Sequence, residues 1–206
     1  MIGERLYAAL ARAGRAYARI RTRVLYGPFL GRLGRGSVIR RPILISNPRH
    51  IHVGERVLIR DGARLEVVLL PGGPAPRLEI GSGTNIEQNV HIVCHHRVVI
   101  GSNVSITANC AIVDTTHPFE GIDPGQKIGA GILPDHASVE IGDGAFLGIG
   151  TVVLPDVQIG PGAVIGANSV VTRSLPAYCC AAGAPARVLR IYRDPPGASP
   201  PTSPGT

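Results

Sequence analysis

His117 is the residue whose type and setting first invite chemistry. It stands in Asp114-Thr-Thr-His117-Pro118, immediately before a stretch that follows no pattern. An imidazole titrates near neutrality, so it is the usual group for taking a proton from a hydroxyl. To act as a base it needs a rigid frame. It also needs a carboxylate or a backbone carbonyl to orient its far ring nitrogen. Asp114, three residues earlier, is a candidate for steering the ring or for contacting an acceptor. A second cluster, His91, Cys94, His95 and His96, raises a metal reading, because His91 and His96 lie five apart. Zinc would require three neutral imidazoles converging on one point with a fourth position open.

The frame that could hold His117 is visible in the residues around it. From Ile141 the chain reads in sixes: IGDGAF, LGIGTV, VLPDVQ, IGPGAV, IGANSV. Ile141, Leu147, Val153, Ile159, Ile165 and Val171 open successive hexads. Ala145, Thr151, Val157, Ala163 and Ser169 follow four places on. Neither a helix, near 3.6, nor a strand, at 2, repeats every six residues. The period predicts a coil of short flat strands in which the first residue and the small one point inward and Gly turns the corner. Each coil buries its apolar face on the next, as in a solenoid. Sixes also run from Ile80 and again from Ile100. They are interrupted at Pro71–Pro76 and between His117 and Val139. A long excursion from a rigid solenoid is where function tends to sit.

These hexads resemble the hexapeptide-repeat acyltransferases, in the maltose/galactoside and polysaccharide O-acetyltransferase branch. The resemblance covers residues 80–192 and implies an all-β solenoid: a left-handed parallel β-helix with an N-terminal helix and a long loop. The hand comes from the family, since it opposes the usual right-handed crossover. DTTHPFEG matches the family setting in which a His deprotonates the acceptor, and the hydroxyl then attacks the acetyl-CoA thioester without an acyl-enzyme. Ala167, Thr172 and Arg173, then Gly183-Ala-Pro-Ala-Arg187, resemble the coenzyme A end, and Phe146 stands where the family often has Trp. The phosphates of CoA make Arg173, Arg187 and Arg190 suitable counter-charges. By register Asn89 falls where an acceptor sugar is contacted, although an Asn there can equally form a corner or a side-chain ladder. The family closes its flat faces as a trimer with shared sites, so a homotrimer is expected. A γ-carbonic-anhydrase relative binds zinc through three histidines, but here the five-residue pair precedes His117 in the wrong order, so no metal is expected. A non-catalytic scaffold is the other alternative.

The expected organisation is a basic amphipathic helix within 1–28, a β-helix over 29–176 with a loop at 118–138, a tail packing over 177–193, and disorder over 194–206. Ile2, Leu6, Leu10, Ala13, Tyr17, Ile20 and Val24 recur at helical spacing among six arginines. Such a helix can cap the open end of the coil or dock peripherally on an anionic membrane. The net charge of +7 admits membrane, nucleic acid or a phosphate-bearing cofactor. With few aromatic residues for stacking bases, no nucleic acid is expected. Four cysteines without disulfide or zinc spacing imply a reducing compartment. No apolar run has the length of a span and no secretory signal is evident. The expected location is cytoplasmic, at the inner face of the membrane if the helix docks there.

Overall fold

A six-residue period demands three short strands per turn, and the chain folds that way. The computed structural model describes residues 2–121, 123, 125–133 and 137–193. The tail 194–206, for which disorder was expected, lies outside them. The first coil comprises β1 (Arg32–Leu33), β2 (Val38–Ile39) and β3 (Leu44–Ser46), and the second β4 (Ile51–Val53), β5 (Leu58–Ile59) and β6 (Arg64–Val67). The third has β7 (Arg77–Ile80), β8 (Asn85–Ile86) and β9 (His91–Cys94), and the fourth β10 (Arg97–Ile100), β11 (Ser105–Ile106) and β12 (Ala111–Val113). The fifth has β13 (Ser138–Ile141), β14 (Phe146–Leu147) and β15 (Val152–Val153), and the sixth β16 (Val157–Ile159), β17 (Val164–Ile165) and β18 (Val170–Val171). Each coil gives one strand to each of three parallel faces, A, B and C in that order. The fold is a left-handed parallel β-helix.

Register makes the core. Ile59, Ile86, Ile106, Leu147 and Ile165 stack as one inward column on face B. Every hexad opener from Ile141 to Val171 is buried, and so is every small residue four places on. Two of the small ones are polar, and their hydroxyls are satisfied at the adjacent corners. Thr151 donates to the Gly148 carbonyl and Ser169 to that of Gly166, each at 2.7 Å.

The three edges differ. The A/B and B/C edges turn tightly through left-handed residues. Asn103, Gly144 and Gly162 serve at A/B; Asn89, Asn109, Gly150 and Asn168 serve at B/C. The long insertions leave from the C/A edge: residues 68–76 after β6 and 114–137 after β12.

One boundary differs from expectation. The coil runs past residue 176, because β19 (Cys179–Gly183) adds a parallel strand to face B before β20 (Ala186–Ile191) folds back antiparallel on it. No hexad marks this strand, so spacing could not reveal it. At the other end, α1 (Ile2–Arg21) passes into a π-helical turn, Thr22–Tyr26. The Thr22 hydroxyl accepts from the Ile39 backbone N–H at 2.9 Å and reaches the Ala18 carbonyl at 2.7 Å. Buried Thr22 and Leu30 close the base of the coil, whereas the apolar row of α1 does not. Leu6, Leu10, Tyr17, Ile20 and Val24 are each 60% exposed or more.

Candidate active site

The frame carries the chemistry-bearing residues to two separate edges. His117 leaves the C/A edge four residues after β12 ends. Its ring is exposed, and Nδ1 lies 2.6 Å from the Gly131 carbonyl oxygen. A carbonyl can only accept, so Nδ1 carries the proton and Nε2 presents a lone pair to solvent. The far wall of the loop is clasped to the same strand exit: the Leu133 N–H donates to the Thr116 carbonyl at 2.9 Å. Gly131 is the partner of the ring that sequence reasoning did not name. A backbone carbonyl has no side-chain signature, and no spacing points to it.

Asp114 takes a different role from either one expected. Its side chain is fully buried. Its carboxylate accepts the backbone N–H groups of His95, His96 and Arg97 at 2.7, 2.9 and 2.8 Å. It therefore faces away from any acceptor and brackets the tight turn of the coil below. By fixing that turn it sets the level at which the chain departs toward His117.

Thr172 and Arg173 follow β18 on the same C/A edge, both exposed. Strands β12 and β18 are two spacings apart in face C, roughly 10 Å. The remaining candidates sit elsewhere. Phe146 points outward from face B at 41% exposure, and Ala167 is exposed in the corner between β17 and β18. Arg187 and Arg190 are exposed on β20, at the end of face B. The tail is held there by Tyr192, whose hydroxyl donates to the Gly162 carbonyl. Asn89 forms a B/C corner at φ 57° and its amide donates to Asn109 Oδ1 at 3.3 Å, which is the corner-and-ladder role that the sequence left open. One chain thus places His117, Thr172 and Arg173 on the C/A edge, and spreads Asn89, Phe146, Ala167, Arg187 and Arg190 along face B and its B/C edge. It does not bring the two groups together.

The histidine cluster does not converge. Along β9 the side chains alternate, so His91 faces out while Cys94 is buried in the core. Burial, with help from Arg64, pushes the His91 imidazole below its usual value, and burial pushes the Cys94 thiol up. Among the described residues no group of three His, Cys, Asp or Glu side chains could hold a metal ion.

Known proteins share this fold. The family described as "Bacterial transferase hexapeptide (six repeats)" matches residues 138–173. An Escherichia coli K12 protein named "Putative lipopolysaccharide biosynthesis O-acetyl transferase WbbJ" is 34% identical over 163 residues, 75% of this chain and 79% of that one. The chain belongs to the hexapeptide-repeat acetyltransferase family. Galactoside O-acetyltransferase of the same organism is 33% identical over 117 residues, 57% of this chain and 55% of that one. Among solved structures, AntD, an N-acyltransferase from Bacillus cereus in complex with dTDP and 3-hydroxybutyryl-CoA, superposes with a TM-score of 0.67. At 20% identity over 82% of this chain and 87% of that one, it shares the fold. Family membership makes this hexapeptide-repeat protein an acetyltransferase, and fixes the hand of its coil.

Proposed function

We propose that the chain transfers acetyl from acetyl-CoA directly to a hydroxyl of a sugar in a surface polysaccharide or lipid-linked saccharide. His117 Nε2 removes the hydroxyl proton as the oxygen attacks the thioester carbonyl. The C–S bond then breaks, and the imidazolium returns the proton to the departing thiolate. The observation that carries this reading is the Nδ1–Gly131 contact, which fixes the base-competent tautomer. The named activities of the two Escherichia coli relatives support a saccharide acceptor, and the AntD complex supports a CoA thioester as donor.

The separation of the two groups supports a homotrimer. A cyclic assembly sets the C/A edge of one protomer against face B and the B/C edge of the next. His117 and Arg173 then come from one subunit. Phe146, Ala167, Arg187, Arg190 and Asn89 come from its neighbour and hold the cofactor and acceptor.

Two measurements test this. An acceptor screen with acetyl-CoA, read by free thiol release, should give turnover with a hydroxyl-bearing sugar for the parent chain and not for His117→Ala. Refolding His117→Ala together with Arg187→Gln should restore part of the activity that each lacks alone, because mixed trimers hold some intact sites. Thiol release by correctly folded His117→Ala equal to the parent rejects the base. A mixture no better than its components rejects the shared site.

A further inference from the structure

The geometry points to the N-terminal helix as a docking device for an anionic lipid surface, with its apolar face turned away from the coil. At 100° per residue, α1 divides into three sectors. Ala8, Ala11 and Ala18 are half-buried, as is Arg21, whose guanidinium donates to the Arg40 carbonyl. Near them, Tyr7, Ala11, Gly14, Arg15, Ala18 and Arg19 line a cleft with Val38 and Leu58 of face B. Opposite lies an unbroken apolar sector containing Leu6, Leu10, Tyr17, Ile20 and Val24, all exposed. Between the two runs a row of arginines: Arg5, Arg12, Arg15, Arg19 and Arg23. A helix that served only to seal the coil would turn its large apolar residues inward. This one contacts the coil through alanines and Arg21 and displays its large apolar residues. The apolar surface continues beyond the helix through Leu25, Phe29 and Ile43, which are 54%, 59% and 73% exposed.

Charge decides what can cover this face. No acid of the coil is paired with the arginine row. Glu55, Asp61, Glu66, Glu79, Glu87 and Glu140 are each paired with an arginine of the coil itself, while Asp114, Asp143 and Asp156 accept backbone N–H groups within it. Among the described residues no ion pair includes an arginine of α1. The helix carries six arginines through Arg23 against one acid, Glu4. A second copy would bring the same positive charge, and acids already engaged by arginines or backbone of its own coil. An anionic bilayer supplies what is missing: phosphates for the arginine row and an acyl boundary for Leu, Tyr and Ile side chains at one level. No helix of the described residues is long and apolar enough to cross a membrane, and an in-plane helix does not need to be. Docked in this way, the coil would be held against the surface where lipid-linked saccharides reside. The inference rests on α1 alone and stands apart from the role of His117.

The test is vesicle flotation of the full chain, with light scattering on the same samples. Vesicles of phosphatidylcholine with a third phosphatidylglycerol should carry the protein up the gradient, pure phosphatidylcholine vesicles should not, and high salt should release it. Replacing Arg12, Arg15 and Arg19 by Gln should weaken partitioning on the order of a hundredfold. Leu6→Ser with Leu10→Ser and Tyr17→Ser should abolish it, with molar mass and coenzyme A binding unchanged. Absence of flotation, equal flotation on both vesicles, or undiminished binding by either triple variant overturns the proposal. So does a fall in molar mass in the serine variant, because the face would then be an interface between copies.

Discussion

The B/C and C/A edges are built on the same stacked strands, yet one carries no insertion and the other carries all of the long ones. At B/C, Asn89, Asn109, Gly150 and Asn168 turn the chain in left-handed geometry, each seated on the coil below. Any insertion there would break a ladder that runs the length of the prism. At C/A the chain passes through a 3₁₀ turn (Pro48–His50), a nine-residue loop over 68–76, the His95-His96 turn and the excursion that begins at Asp114. Insertions collect on the edge whose corners are not required to match, and the proposed base leaves from it. Rigidity there is supplied side chain by side chain, through Asp114 and the Gly131 carbonyl, rather than by repetition.

The largest effect expected from this contrast is chemical. His117→Ala should lower acetyl transfer by about 10²–10⁴-fold and leave the thermal midpoint unchanged, because the ring is exposed and packs on no core residue. A variant that lost activity together with several degrees of stability would make His117 a structural residue of the loop.

Asp114 should behave in the opposite way. Asp114→Ala strands three N–H groups of a tight turn and should cost about 3–5 kcal/mol in urea unfolding. Asp114→Asn keeps one acceptor and should fall between the two. If Asp114→Ala unfolded at the parent's urea concentration, the bracket would not be what sets this turn.

Asp114 also shows what could be read from the chain and what could not. The hexad openers and the small residues four places on were legible, because each is a local spacing; the excursion leaves at Asp114, three residues before the break in period that the sequence shows. The partners of Asp114 lie 17 to 19 residues back, one coil below, and nothing in the intervening residues marks them. Gly131 was invisible for the same reason. The direction of α1 was hidden differently. Its periodicity is the same whether the apolar row faces the coil or solvent, and only the small Ala8, Ala11 and Ala18 opposite hint at which face docks. Asn89 was readable as a corner, and its φ of 57° places it there; its acceptor contact belongs to the proposed trimer, where a neighbouring subunit would complete the site.

The tight edge offers a smaller test. Asn109 holds φ at 61°, a region that costs a β-branched residue more than Asn and costs Gly nothing. Asn109→Gly should be near neutral, whereas Asn109→Val should cost about 1–2 kcal/mol, with thiol release per folded protein unaltered in both. A loss of turnover in a stable Asn109→Gly variant would mean that the B/C ladder takes part in catalysis.

The smallest effect lies at the B/C corner of the second coil, where Asp61 accepts the Arg41 backbone N–H at 3.1 Å and its guanidinium Nε at 3.3 Å. Burial alone would raise this carboxyl. The Arg41 contacts, aided by the Arg40 charge, outweigh it and hold the group below its usual value. A folded-state pKa below the unfolded one means that the unfolded chain binds the proton more readily. The stabilisation is therefore complete above the unfolded value near 3.8, and drains away as pH falls through the lower folded value. The pair is partly solvated, so the contribution is a few tenths of a kcal/mol. In urea melts, Asp61→Asn should unfold slightly earlier than the parent at pH 6 and coincide with it near pH 2. An equal gap at both pH values would show that the corner is held by the geometry of its turn, and that its charge contributes nothing.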